Sequence, residues 1–257
     1  MRPMFRLLGP AVVTIEDLDV LVQPLMVAGL LAVLLLAADQ YLQLDAIARM
    51  LWDEPPASAN ANLRKYATQL RRLLHVGSAP DLIVSHRDIG YRAATAPETV
   101  DVHLFHRLAE RGATLLRADN FAEAARDLRG ALDLWHGSAG NSLPRGGRLA
   151  QQMAALNEQR EVAAGDLVEA RLALGESGAL LAEVRARATD QPLNERNWDQ
   201  LIRVLYRTGN TGEALAAFAR ARQTLRDQLG IDPSARLEKL QHAVLTRDDG
   251  FIACPAH

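Results

Sequence analysis

Residues 25–38, LMVAGLLAVLLLAA, form an unbroken run of 14 residues without a charge or a polar side chain. Such a run has to leave water, either in a membrane or in a protein core. A spanning helix needs about 20 apolar residues. A secretory signal would not follow Glu16, Asp17 and Asp19. The run therefore predicts a buried core helix around which a soluble domain assembles, with no membrane partner. The rest of the chain can support such a core. Of 257 residues, 49% are hydrophobic and 23% charged with a net charge of -2, a balance that excludes a disordered chain. The length suits two domains or one large one. Ala and Leu dominate the apolar share and only 5% of residues are aromatic, so helix is favoured over sheet. The single cysteine, Cys254, cannot form an internal bridge, which makes the cytoplasm the expected compartment.

Short extended pieces precede the apolar run: Phe5 to Leu8, a turn at Gly9-Pro10, then Val12, Val13 and Ile15, with Pro24 setting up helix entry. After it, residues 44–52 carry apolar positions at helical spacing until Pro55-Pro56 stops them. Ser58 is a suitable N-cap for a third helix reaching about Leu74. Leu82, Ile83 and Val84, a polar tip at 85–88 and a return through Gly90, Tyr91 and Arg92 predict a hairpin. Residues 93–100, AATAPETV, suit a linker. Beyond it, amphipathic helices are expected at about 101–117, 121–135, 147–174, 178–190, 194–208, 211–229 and 233–246. Two of the breaks, near Gly175 and Gly209, lie 34 residues apart, the period of a tetratricopeptide helix pair. The expected fold is mainly α: an N-terminal winged helix-turn-helix over 1–97, an all-α tetratricopeptide-like helical repeat over 98–247, and a flexible tail at 248–257.

The third helix carries the most chemistry. At 100° per residue, Leu63, Tyr66, Ala67, Leu70, Leu73 and Leu74 fall within about 120° and predict a core-facing stripe. Arg64, Lys65, Thr68 and Arg72 lie between roughly 100° and 200°, with Arg71 at the border and no acid in the helix. Residues 58–92 hold six cations (Arg64, Lys65, Arg71, Arg72, Arg87, Arg92) against Asp81 and Asp88, so this window is +4 and the remainder -6. A basic helix followed by a hairpin with Arg87 at its tip is what duplex recognition requires: a rod for the major groove, cations for phosphate, and an arm for the neighbouring minor groove. A solvated basic face is the bland alternative, and the order helix, helix, turn, basic helix, hairpin favours DNA over it.

Several segments also carry a resemblance. LLGPAVV, ARMLWDEPPASA, LRKYATQLRRLL and HRDIGYR resemble the OmpR-type winged helix. LLRADNFAEAARDLRGALDLWHG and the long segment from NERNWDQL to ARLEKL resemble the bacterial transcriptional activator domain. Together they resemble the SARP regulators, the antibiotic regulatory proteins of actinobacteria. The resemblance implies a sequence-specific, DNA-binding transcriptional activator, pathway-specific for a secondary-metabolite gene cluster. Such a protein binds promoter direct repeats as a homodimer and recruits RNA polymerase holoenzyme. Position by position, it puts Arg64, Lys65 and Gln69 at base edges, although Gln69, at about 240° on the wheel, is marginal. Asn62, Thr68 and Arg72 fall at backbone-facing positions, joined by the bordering Arg71, and Arg87 at the wing residue of the minor groove. Trp52 falls where an indole N–H meets phosphate, a position that plain core packing would fill equally well. In the family the helix after Pro24 starts with basic residues; Leu25, Met26, Val27 and Ala28 stand there instead, which implies lower affinity. The chain ends soon after the activator domain, so the nucleotide-binding or phosphopeptide-binding modules of longer relatives are expected to be absent.

Other chemistry finds little support. His103 and His106 lie one helical turn apart near Asp101 but lack further ligands at a recognised spacing, so surface or cap roles are expected. Cys254 and His257 make a weak pair on a tail. Nucleophile, P-loop and dinucleotide motifs are missing, Trp135 and Trp198 are expected in the core, and neither enzymatic activity nor a cofactor is expected. The competing function is a protein-interaction adaptor whose first domain no longer grips DNA, motivated by the uncharged residues 25–28.

Overall fold

The computed structural model describes residues 4–15, 17–37, 39–74, 82–86 and 89–253. The chain divides into two compact units: Met1–Glu110 with Gly130–Glu161, and Arg111–Arg129 with Val162–His257.

The first unit opens with three antiparallel strands in sequential order, β1 (Met4–Arg6), β2 (Val12–Ile15) and β3 (Leu18–Leu21). Phe5 pairs with Val13 and Val13 with Val20, and the alternation buries Phe5, Val13 and Ile15 on one face. Helix α1 (Leu25–Leu36) follows Pro24, whose carbonyl accepts from Val27 and Ala28. Every residue from Val27 to Leu35 is buried, so α1 has no polar stripe and lies in the centre of the unit. This is the core helix expected from the uncharged run. Among the described residues no helix is long and apolar enough to cross a membrane. Two further helices, α2 (Leu44–Leu51) and α3 (Ala59–Leu74), pack on α1, and a hairpin of β4 (Ile83–His86) and β5 (Gly90–Ala93) completes a winged helix-turn-helix.

The hairpin is fastened to the α1–α2 connection, where Leu42 and Tyr91 exchange backbone hydrogen bonds of 2.8 and 3.0 Å. That approach requires glycine at position 90. Its φ is +132°, and a Cβ there would lie 2.0 Å from the Leu42 carbonyl oxygen.

The stretch expected as a linker is not loose. Residues Pro97–Thr99 form a 3-10 turn, and Val100 is fully buried and bridges to Phe5. Asp101, at the start of α4 (Asp101–Arg117), accepts backbone hydrogen bonds from Leu7 and Leu8 at 2.8–2.9 Å. Burial pushes its carboxyl up to about 6, against the opposing pull of the Leu8 and Leu7 N–H groups. Linker composition signals small polar residues; it does not reveal that a carboxylate behind them is captured by the backbone N–H groups just after β1, 93 and 94 residues upstream.

All-helical structure follows: α5 (Phe121–Leu132), α6 (Gly147–Ala173), α7 (Ser177–Asp190), α8 (Glu195–Arg207), α9 (Thr211–Leu229), α10 (Ala235–Thr246) and α11 (Asp249–Ala253). α5 stops short of the expected residue 135 because Leu134 and Trp135 turn out through bonds to Ala131 and Leu132, which lets Trp135 stack edge-on against Phe105 at 5.2 Å. Gly175 and Gly209, the residues at the 34-residue spacing, both adopt positive φ between consecutive helices. Trp198, Leu201, Phe218, Leu237 and Leu240 build one core in the second unit, with Ala214, Ala217 and Ala221 fully buried where helices approach closely. Residues 249–253, expected in a flexible tail, form α11 with Ile252 1% exposed; Cys254 and His257 lie outside the described residues.

Candidate nucleic-acid interface

Helix α3 separates its two faces as its spacing dictates. Ala59, Leu63, Ala67, Leu70 and Leu74 are buried, while Tyr66 and Leu73 are half-buried at the stripe's edges. Arg64, Lys65, Thr68 and Arg72 are exposed. Arg64, Lys65 and Arg72 make no side-chain hydrogen bond or ion pair among the described residues, so three cations stand free on one helical face. The Thr68 hydroxyl donates to the Arg64 carbonyl at 3.0 Å, which also leaves it on that face. Asn62 is half-buried at the first turn, and its Nδ2 donates to Ser58 Oγ at 3.2 Å.

The other expected contacts are placed differently. Gln69 is half-buried, and its Oε1 is buried without a hydrogen-bond partner among the described residues, in keeping with its marginal angle on the wheel. Arg71 is half-buried, donates from Nε to the Ile83 carbonyl at 2.9 Å and lies 5.7 Å from the Tyr91 ring centre. Its guanidinium thus ties the helix to the hairpin. Trp52 is half-buried at the C-terminal end of α2, where its backbone N–H donates to Ala48. Arg87 lies outside the described residues.

The charge of the window is also redistributed. Arg92 pairs with Asp39 at 2.6 Å and its guanidinium covers the Tyr41 ring at 5.1 Å, so it supports the base of the hairpin. Of the uncharged residues expected to weaken phosphate contact, Val27 and Ala28 are buried; only Leu25 and Met26 reach the surface.

Between the start of α2, α3 and the hairpin runs an open groove of about 690 Å³, whose lining includes Asp45, Asn60, Arg64, Ser85, His86 and Tyr91. Sequence pattern alone does not single out Asn60 or His86. Asn60 sits one turn before Arg64, a helical spacing that could flag it, whereas His86 reaches the groove only through the hairpin register that pairs it with Gly90.

Elsewhere, His103 Nε2 lies 3.0 Å from the Leu35 carbonyl at the end of α1, and His106 Nε2 lies 2.9 Å from Gln159 Oε1. Both serve local contacts. Among the described residues no group of three or more His, Cys, Asp or Glu could hold a metal ion.

Comparisons with known proteins agree with this geometry. Residues 27–93 match the family model of the transcriptional regulatory protein C-terminal domain, and residues 100–245 that of the bacterial transcriptional activator domain. The chain is 37% identical to the regulatory protein DnrI of Streptomyces peucetius, over 89% of this chain and 86% of that one. It is 31% identical to the transcriptional regulator RedD of Streptomyces coelicolor, over 90% of this chain and 66% of the relative. The solved structure of Mycobacterium tuberculosis EmbR in complex with a low-affinity phosphopeptide superposes with a TM-score of 0.87 at 31% identity, covering 96% of this chain but 65% of EmbR. An OmpR-type module bearing a free basic helix face, followed by an activator domain, makes this chain a member of the SARP family of DNA-binding transcriptional regulators, a family of regulators and not of enzymes.

Proposed function

We propose that the chain is a sequence-specific transcriptional activator, pathway-specific for a secondary-metabolite gene cluster, that acts in the cytoplasm. It binds promoter direct repeats as a homodimer and recruits RNA polymerase holoenzyme. The observation that carries this reading is the trio Arg64, Lys65 and Arg72, exposed and, among the described residues, unpaired on a helix whose opposite face is locked into the core. A free guanidinium can bind the O6 and N7 of guanine in the major groove with two hydrogen bonds, which a paired one cannot. Arg64, Lys65 and Gln69 read base edges in this proposal. Asn62, Thr68 and Arg72 contact the backbone with Trp52, and Arg87 enters the minor groove. Arg71, held by Ile83, sets the angle of the hairpin and meets phosphate only with its remaining N–H groups.

Selection of duplexes from a random pool by the full chain tests this. A common motif in two directly repeated copies is expected. Recovery of sequences no different from the input pool would refute sequence-specific binding.

A further inference from the structure

Helix α2 borders two depressions of the first unit. Gln43, Leu44 and Asp45 line the groove that also holds Arg64. Leu42, Ala46, Arg49 and Met50 line a second recess, of about 340 Å³, which lies against the end of α1 and the start of α6. Its floor is apolar, with Val33, Leu36 and Ala37 opposite Leu42, Ala46 and Met50. Val33 is buried and the other five are only half-buried, so apolar surface that the core has not taken up stays in contact with water.

The charge around the recess is all of one sign. Arg49 and Arg148 border it, both exposed, and neither makes a side-chain hydrogen bond or ion pair among the described residues. No acid is among the described residues that line it. Asp53, one turn beyond Arg49, accepts the Gly147 N–H instead, at 2.9 Å. The walls are fixed. Gly147, directly before Arg148, adopts φ +70°, and a Cβ there would lie 2.3 Å from the Met50 carbonyl oxygen, so the start of α6 meets α2 backbone to backbone. An apolar floor with two unpaired guanidinium groups and the amides of Gln40 and Gln152 beside it suits a small ligand with an apolar body and an anionic head. The volume falls within the range of about 300–1,000 Å³ typical of small-molecule sites.

The recess is also tied to the DNA groove. Leu42 lines it, and the backbone N–H and carbonyl of Leu42 are the groups bonded to Tyr91 in the hairpin. Tyr91 in turn lines the groove. A ligand packed on Leu42 therefore bears on the connection that holds the hairpin beside α3.

We propose that this recess is an effector site for a small amphipathic anion, a carboxylate or sulfonate on an apolar ring system, whose binding braces the Leu42–Tyr91 connection and tightens the grip on duplex DNA. The effect on DNA rests on the function proposed above; occupancy of the recess does not.

The probe is 8-anilino-1-naphthalenesulfonate, and N-phenyl-1-naphthylamine is its uncharged counterpart. The full chain is expected to bind the sulfonate saturably with a dissociation constant below about 1 mM, and the amine at least about tenfold more weakly. Arg49→Gln combined with Arg148→Gln should lower sulfonate affinity at least about tenfold and leave the amine unaffected. Ala46→Trp fills the recess and should abolish binding of both. The two arginines are exposed, so their replacement leaves the fold intact and the test stands even if the tryptophan is not accommodated. Unchanged sulfonate binding by the arginine variant, saturable binding retained by a folded Ala46→Trp chain, or no saturable binding by wild type would overturn the site. Without DNA, the sulfonate is expected to slow amide hydrogen exchange at Leu42 and Tyr91 severalfold, and unchanged rates would refute the brace. On the selected duplex, probe and DNA should each raise the other's affinity by the same factor. Slowed exchange with no mutual effect would keep the site and refute its tie to DNA. Competition between the two would make Arg49 and Arg148 phosphate contacts and overturn the proposal.

Discussion

Arg64 and Arg203 put the same side chain in opposite circumstances. Arg64 projects from α3 with no partner among the described residues, and Arg203 lies inside the second unit with every donor group engaged, by Glu169, Asp199 and the Ile252 and Ala253 carbonyls. A solvated guanidinium costs the fold almost nothing and remains available to a ligand. A buried one must be satisfied completely, and its value to the fold lies in what would be left behind if it were removed. Arginine supplies nearly all the positive charge of this chain, with only Lys65 and Lys239 as lysines, so residue type does not sort the binding cations from the structural ones. Partners do. Arg71 and Arg92 belong with Arg203 in this respect: both count toward the +4 of the basic window, yet one holds Ile83 and the other Asp39.

Variants at the two kinds of site should part company, and the largest effect belongs to the buried one. Arg203→Met leaves Glu169 without its cation and Asp199 with Arg236 alone, and is expected to lower unfolding stability by about 3–5 kcal/mol in urea titrations. A loss below about 1 kcal/mol would mean that the cluster is hydrated and the contrast false.

Asp101 gives the next effect, through pH. Its carboxyl titrates near 6 in the fold and near 3.8 when unfolded, so the native state holds the proton more tightly. The stability this proton confers is fully present below the unfolded value and is lost as pH rises to the folded one. A shift of about two units corresponds to about 3 kcal/mol. The stability of wild type relative to Asp101→Asn should therefore fall by up to that amount between pH 4 and pH 7. A difference that stays constant with pH would remove the assignment.

Arg64→Ala is expected to cost about 1–3 kcal/mol on the preferred duplex and to relax preference at one base pair. Arg72→Ala should weaken binding evenly across sequences. Identical losses on preferred and scrambled duplexes for Arg64→Ala would move it to the backbone class. The smallest effect is expected at Arg71→Ala, a loss of about 1 kcal/mol in thermal unfolding from the broken bond to Ile83. Unchanged stability combined with weaker DNA binding would return Arg71 to the phosphate-facing group.

The same contrast explains what could be read in the sequence. Helix α1 was legible because nine consecutive buried residues leave no alternative to a core, and α3 because its apolar and basic residues keep separate sides of one helical period. The hairpin followed from its alternation and Gly90. Strand β3 was not legible: Leu18 and Leu21 are both exposed, so no alternation marks it, and only pairing with β2 makes it a strand. Helix α11 was hidden for a similar reason, because DDGFIA has glycine at its centre and too few residues for a period. The partners of Arg71, Asp101 and Arg203 lie 12, 94 and up to 50 residues away in sequence, and local pattern carries no trace of pairings that distant.

The most direct test is the salt dependence of DNA binding. On the selected duplex, log Kd against log salt concentration is measured for the full chain and for a variant carrying Arg64→Ala, Lys65→Ala and Arg72→Ala together. If those three side chains face DNA, the slope should shrink by as much as roughly 0.9 for each phosphate that the variant leaves without a cation. A slope identical to wild type would show that the free basic face of α3 does not meet the duplex.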